Sequence, residues 1–342
     1  MLKIDMHAHI LPREWPDMEK KFGVSGFPVA EHVHDEQLGN VCNIYRNNEF
    51  FRRVLPNCWD IELRIAEYAE HNIAVQLIST VPVMFNYWAP AAAAAYFSSY
   101  LNDDVAALQQ AYPKQVIALG TLPMQHPNLA IKELQRLHHE LELPGIQIGS
   151  NINDKNLDDP EIEPIFAAAE DLGIAIMVHP WEMMGRDKMG KYWLPWLVGM
   201  PAEMSRAICS LIFGGVMEKF PRLRFCFAHG GGSFPWTIGR IAHGFDMRPD
   251  LVAVDNPIHP TEYLKRFWVD SVTHDPRALQ WLLEIMGDDR VMLGTDYPFP
   301  LGEQAPGKLL DSLQLEDASA AKIFAYNALD WLNLDPARFE QT

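Results

Sequence analysis

The stretch IDMHAHILP, residues 4–12, places His7 and His9 one residue apart at the end of an apolar run. Side chains alternate faces along a strand, so both imidazoles point the same way. Other ionisable residues end similar runs: His179 in GIAIMVHP (173–180), His229 in LRFCFAHG (223–230) and Asp296 in VMLGTD (291–296). Three neutral imidazoles and one carboxylate suit Zn²⁺, which accepts N and O ligands and keeps a position open for water at catalytic sites. His7, His9, His179 and Asp296 are therefore the expected ligands of one metal ion. His229 differs, because it precedes the glycines of FAHGGGSFPW, which let a substrate approach the backbone. It is expected to be the general base or acid. A metal lowers the pKa of its water to about 7, and a neighbouring imidazole can take or return that proton. The spacing alone is a weak signal. His32 and His34 in AEHVHDEQ share it but lie in a polar segment, and are expected at the surface. The remaining histidines, His274 among them, fall in helices or loops and are mostly expected to be solvated.

These side chains meet only if the fold gathers their segments. Eight short apolar runs recur: LKIDMHAH (2–9), IAVQLIST (73–80), VIALGTLP (116–123), GIQIGS (145–150), FWVDSV (267–272) and the three named above. Segments of helical composition separate most of them, such as DIELRIAEYAEH (60–71), NLAIKELQRLHHEL (128–141) and DPRALQWLLEIMG (275–287). In the last, Leu279, Leu282, Leu283 and Met286 recur at helical spacing. Alternating strand and helix predicts a parallel sheet, and eight units in this length predict a closed (β/α)₈ TIM barrel of the metal-dependent hydrolase type. One barrel domain is expected over 1–342, with residues 11–59 a small insertion over the mouth, since they hold no barrel helix. In such barrels the loops after the strands carry the chemistry, and the five residues fall there. GIQIGS ends without Lys, Asp or Glu to bridge two ions, so one metal is expected rather than two.

The 342 residues carry 45 acidic and 28 basic side chains, a net charge of −17. Such a surface repels nucleic acid and anionic membranes. An anionic substrate would then need local cations. Arg46, Arg52 and Arg53 lie in the insertion, and Arg240 follows the glycine run. Arginine is the preferred bidentate partner of a carboxylate. Trp181, Trp193 and Trp196 could wall a planar substrate, although a place in the core or an interface is the stronger expectation. Cys42, Cys58, Cys209 and Cys226 form no CxxC pair, which suits reduced thiols in the cytoplasm. No secretory leader or membrane span of roughly 20 residues is expected.

HAH on the first strand, histidine on the fifth and sixth, and aspartate on the eighth resemble the amidohydrolase superfamily. More narrowly, HILPREWPD, NCWDIELRI, STVPVMFNYWA, GTLPMQ, PGIQIG, VHPWEMM, KYWLPWLVGMPAE, CFAHGGGSFPW and LGTDYPFPLGE resemble the decarboxylase family acting on 2-amino-3-carboxymuconate-6-semialdehyde in tryptophan breakdown by the kynurenine route. The resemblance implies a zinc-dependent, non-oxidative carboxy-lyase with one Zn²⁺ per subunit on His7, His9, His179 and Asp296, and His229 as the acid–base residue. It implies that Arg52, in FFRRVL, holds one substrate carboxylate. Arg240 would hold another by reaching into the neighbouring subunit's site, which makes a homodimer. Trp196 is placed on the substrate wall. The family's HSH is HAH here; the middle residue points away from the metal, so little effect is expected. Losing CO₂ directly from an sp² carbon would leave an unstabilised vinyl carbanion, so that carbon should first be saturated and protonated. No flavin, pyridoxal or dioxygen is required. A metal-dependent hydrolase and a phenolic-acid decarboxylase are the alternatives on the same scaffold, and a non-enzymatic scaffold is the third.

Overall fold

The computed structural model describes residues 1–339. In chain order the strands are β1 (Ile4–Ile10), β2 (Val29–Asp35), β3 (Gly39–Arg46), β4 (Glu49–Val54), β5 (Val75–Thr80), β6 (Val116–Gly120), β7 (Gly145–Gly149), β8 (Ala175–His179), β9 (Phe225–Phe227), β10 (Trp268–Asp270) and β11 (Val291–Met292). β1 and β5 to β11 hydrogen-bond in that order as an eight-stranded sheet, and every bonded pair in it is parallel. The last strand returns to the first. Met6 N–H donates to Leu293 O at 2.9 Å, His9 N–H donates to Tyr297 O at 2.8 Å, and Ala8 bridges Tyr297. The ring so closed is a TIM barrel.

Helices cover the outside, among them Ile61–Glu70, Pro127–His139, Glu163–Leu172 and Pro276–Met286. Their starts follow from local chemistry. Asp60 accepts from the N–H groups of Glu62 and Leu63, and Asp275 caps the helix that opens on Pro276; both satisfy donors that a helix start leaves open. Along the strands, alternate residues face in and out. Val75, Leu77, Ile117, Leu119, Met177 and Trp268 fill the interior with their neighbours, closed below by Trp331 and Leu332. Ile78, Ala118, Ile148, Ile176, Val178 and Phe227 face the helices. Each large apolar side chain buried this way contributes about 1.5–3 kcal/mol.

β1 departs from simple alternation. Its register with β5 slips between Asp5 and Ala8, so three steps on β1 match two on β5. Ile4 and Met6 belong to the interior cluster, yet His7 and His9 also face inward, because the extra residue of the bulge switches the face. The runs expected as the sixth and eighth strands are shorter than the pattern suggests: β9 stops at Phe227 and β11 at Met292. His229 (φ 55°) and Asp296 (φ 57°) lie beyond these ends in the left-handed conformation, and Asp296 N–H still donates to His7 O of β1 at 2.8 Å.

Between β1 and β5 stand the short helix Met18–Phe22 and the antiparallel sheet β2–β3–β4. Phe27, Cys42, Ile44 and Val54 of this segment pack on Val83, Met84 and Phe97 of the barrel. His32 and His34 lie exposed on β2. Among the described residues no helix is long and apolar enough to cross a membrane, and all four cysteines are free.

Candidate active site

The inward-facing ends of β1 and β8 and the turns after β9 and β11 meet at one end of the barrel. His7 Nε2 lies 3.2 Å from His9 Nε2 and 3.4 Å from Asp296 Oδ1. His9 Nε2 lies 3.1 Å from Asp296 Oδ1, and His229 Nε2 lies 3.5 Å from Asp296 Oδ2. The His179 ring sits 4.9 Å from that of His9 and 5.1 Å from that of His229. One ligand atom from each of His7, His179, His229 and Asp296 falls within 4.8 Å of the others. The fold thus brings together all five residues singled out in the sequence.

The hydrogen bonds separate three of the histidines from the fourth. His7 Nδ1 is 2.6 Å from Asp270 Oδ2, His9 Nδ1 is 3.2 Å from Thr80 O, and His179 Nδ1 is 3.0 Å from Pro180 O. Carboxylate and carbonyl oxygens only accept, so each ring donates its Nδ1 proton, which leaves the Nε2 lone pair turned to the cluster. Among the described residues, His179 Nε2 is buried with no hydrogen-bond partner. A buried, unpartnered nitrogen is costly unless something binds it, and three such lone pairs with one carboxylate form a donor set that fits a divalent cation. No protein oxygen holds His229 through Nδ1 in this way among the described residues.

Electrostatics follow burial and pairing. Burial works to raise the Asp296 pKa, but the neighbouring His229, His9 and His7 rings hold it well below the ordinary carboxylate range. Burial holds His179 well below the ordinary imidazole value, and it lowers His9 as well. In His7 the pull of burial is outweighed by Asp270 and Asp296, and the ring lies above its ordinary value. Asp270, opposed by burial, is kept below its ordinary value by the His7 bond.

A cavity of about 390 Å³ opens over the cluster. Its walls are largely apolar and include Trp181, Trp193, Trp196, Met200 and Phe299. The three tryptophans line the cavity, and Trp181 packs on the core as well. Arg52 on β4 reaches it from the insertion, with its guanidinium 4.9 Å from the Phe299 ring centre. It forms no salt bridge among the described residues. Arg53 is instead tied to Asp35 at 2.7 Å and to Asn43 at 2.9 Å. Adjacent strand residues point to opposite faces, and that separates the two arginines. Arg240 is exposed on the helix Phe234–Met247 and is absent from this cavity's lining.

Two residues near the site were not singled out in the sequence. Asp270 lies within the run FWVDSV, but an aspartate inside an apolar strand carries no spacing signal. A carboxylate flanked by apolar residues and expected to be wholly buried was the one available clue. His274, expected to be solvated, lines the cavity in the left-handed conformation.

The amidohydrolase family model matches residues 4–334. The chain is 52% identical over 339 residues to 2-amino-3-carboxymuconate-6-semialdehyde decarboxylase of Dictyostelium discoideum, covering 99% of this chain and 93% of the relative. It is 35% identical to the enzyme of that name from Caenorhabditis elegans, covering 97% and 94%. Its fold matches 5-carboxyvanillate decarboxylase of Novosphingobium aromaticivorans, solved with manganese and 4-hydroxy-3-methoxy-5-nitrobenzoic acid, with a TM-score of 0.78 at 22% identity over 97% and 96% of the two chains. A barrel with this cluster at its mouth, and relatives alike over nearly its whole length, place the chain in the amidohydrolase family, among its carboxy-lyases.

Proposed function

We propose that this protein catalyses the zinc-dependent, non-oxidative decarboxylation of 2-amino-3-carboxymuconate-6-semialdehyde to 2-aminomuconate semialdehyde, in the kynurenine route of tryptophan degradation. The observation that carries the metal part of the reading is the convergence of three Nε2 lone pairs, each imidazole having donated its Nδ1 proton to a protein oxygen. His7, His9, His179 and Asp296 would hold the ion. An imidazole-rich set with one carboxylate favours Zn²⁺ over the oxygen-rich surroundings that suit manganese. When bound, the ion lowers the pKa of water and offsets negative charge. The relatives named for this substrate support its identity.

The chain's own groups then have distinct tasks. Arg52, which lines the cavity, binds a substrate carboxylate and orients the diene. Trp196, with Trp193, walls the planar substrate and excludes water. His229 Nε2, beside Asp296, takes a proton from water as the hydroxide adds to the diene, and delivers it to the adjacent carbon that bears the departing carboxylate; when CO₂ leaves, its bonding pair re-forms the double bond and expels the hydroxide. That carbon is saturated before the C–C bond breaks, so the bonding pair does not remain as a vinyl anion. Overall, the substrate carboxylate leaves as CO₂ and one proton replaces it. Arg240, exposed and outside its own chain's cavity, is assigned to the second carboxylate in a neighbouring subunit, which makes the enzyme a homodimer. A cytoplasmic location belongs to the same reading and is supported by four free cysteines.

The test mixes zinc-loaded protein with the aminocarboxymuconate semialdehyde and follows its near-ultraviolet absorbance and the CO₂ released. Loss of absorbance with equimolar CO₂ is expected. Unchanged absorbance at full zinc occupancy refutes the assignment. Turnover of a hydroxybenzoate alone would move the enzyme to the phenolic acids, and a ring-opened acid from a lactone without CO₂ would make it a hydrolase.

A further inference from the structure

We propose that Asp270 is a positioning residue whose single carboxylate sets both the ring of the metal-binding His7 and the backbone of the acid–base His229. The inference rests on the metal reading above. Asp270 ends β10, a strand that contributes no ligand to the cluster, and its side chain is fully buried. Oδ2 accepts from His7 Nδ1 at 2.6 Å and from His229 N–H at 2.8 Å. Oδ1 accepts from Gly230 N–H at 2.8 Å and from Val272 N–H at 3.0 Å. Four donors surround an acceptor-only group.

Each bond has a consequence at the site. The bond to His7 keeps the proton on Nδ1 and the lone pair on Nε2, facing Asp296 and His9. The bonds to His229 and Gly230 hold two consecutive left-handed residues, at φ 55°, ψ 48° and φ 62°, ψ 23°. That conformation is uncommon for a residue with a side chain, and it is what carries the His229 ring off the end of β9 and over the cavity. Position 294 makes room for the pair. A Cβ there would lie 2.7 Å from the Asp270 Cβ and 3.0 Å from the His7 Cβ, so glycine lets the two approach.

Asp270→Asn keeps the shape and reverses half of the pattern. With its oxygen toward Gly230 and Val272, its amide points N–H groups at His7 Nδ1 and at the His229 N–H. His7 must then carry its proton on Nε2, which blocks the lone pair. The opposite flip sets N–H against the N–H groups of Gly230 and Val272. Either way, metal affinity should fall roughly 10–100-fold. At saturating metal, kcat should fall while KM changes little, because Asp270 is fully buried beneath the cluster and Arg52 is untouched.

The experiment measures Co²⁺ and Zn²⁺ binding, the visible spectrum of the Co²⁺ form and steady-state kinetics, for the wild type, Asp270→Asn and Glu203→Gln. Glu203 is a buried carboxylate bonded to Ser150, Asn151 and Arg206 and, among the described residues, to no histidine, and reports the cost of disturbing any such network. Weaker binding and an altered Co²⁺ spectrum in Asp270→Asn but not in Glu203→Gln support the proposal. Equal metal affinity and an unchanged spectrum in folded Asp270→Asn overturn it. ¹⁵N-histidine NMR of the zinc-loaded wild type needs no folded variant at position 270. With the His7 signal assigned by its loss in His7→Gln, a proton on Nδ1 is expected, and a proton on Nε2 overturns the proposal. Wild-type protein that takes up no divalent ion overturns the metal reading and this one with it. Uptake by the wild type alongside an indifferent Asp270→Asn overturns this one alone.

Discussion

The division of labour between two adjacent arginines gives a quantitative test of the site. Arg52 stands in the cavity with no carboxylate partner among the described residues, and burial pulls its pKa below the ordinary guanidinium value. Arg53, one residue on, is already paired with Asp35. A charge-assisted hydrogen bond to a substrate carboxylate contributes about 1.5–3 kcal/mol, and each 1.4 kcal/mol is about tenfold in rate or affinity. Arg52→Ala should therefore lower kcat/KM by about 10–150-fold, mostly through KM if the contact is equal in ground and transition states. Arg52→Lys keeps the charge but loses the two-pronged geometry, and should fall between. Arg53→Ala breaks only a half-exposed ion pair worth about 0–1 kcal/mol, and should leave kcat/KM within roughly fivefold. The same structure predicts the stabilities. Removing a partly desolvated cation with no salt bridge among the described residues should leave Arg52→Ala at least as stable to denaturant as the wild type, because active-site groups are held at some cost to the fold. Steady-state decay of substrate absorbance and urea titration make the two measurements. A larger kinetic loss in Arg53→Ala than in Arg52→Ala would refute the reasoning.

Other expectations follow from individual contacts. His229→Ala should keep one metal per chain and lose turnover by at least about 100-fold, whereas His179→Ala should lose metal first; elemental analysis beside kinetics separates them, and zinc loss in His229→Ala would make His229 a ligand. Gly294→Ala should weaken metal binding in chelator competition, because the added methyl meets Asp270 and His7. Chelation of the metal should lower Tm, and readdition in excess should restore it, since an ion that binds only the folded chain stabilises it. Asp104 has its pKa raised by burial from 3.8 to about 6. The folded state therefore favours the neutral carboxyl, and its contribution to stability, full below pH 3.8, is lost as pH rises through about 6. The shift sets a ceiling of ~3 kcal/mol, and partial contact with water reduces this to ~1–2. Asp104→Asn should be more stable by that amount at pH 7 and by much less near pH 4 in urea titrations; equal gains at both would sink the assignment.

The sequence by itself determined the repeating strand–helix units and the positions of His7, His9, His179, His229 and Asp296 at or just beyond strand ends, because apolar periodicity and chain order are local properties. It placed cations in the segment after β1 for the same reason. Tertiary structure decided what depends on neighbours far along the chain. His7 and His9 share the interior with Ile4 and Met6 because a bulge against β5 adds a residue, which alternation alone does not reveal. Arg52 rather than Arg53 faces the cavity because the register of β4 on β3 sets which side turns inward. The tryptophans of 181–196 line that cavity, though their composition suits a core equally well. Asp270, silent as one polar residue in an apolar run, meets His7 across 263 positions of chain. A hydrogen bond over that distance follows from closing the barrel, and no pattern in either segment encodes it.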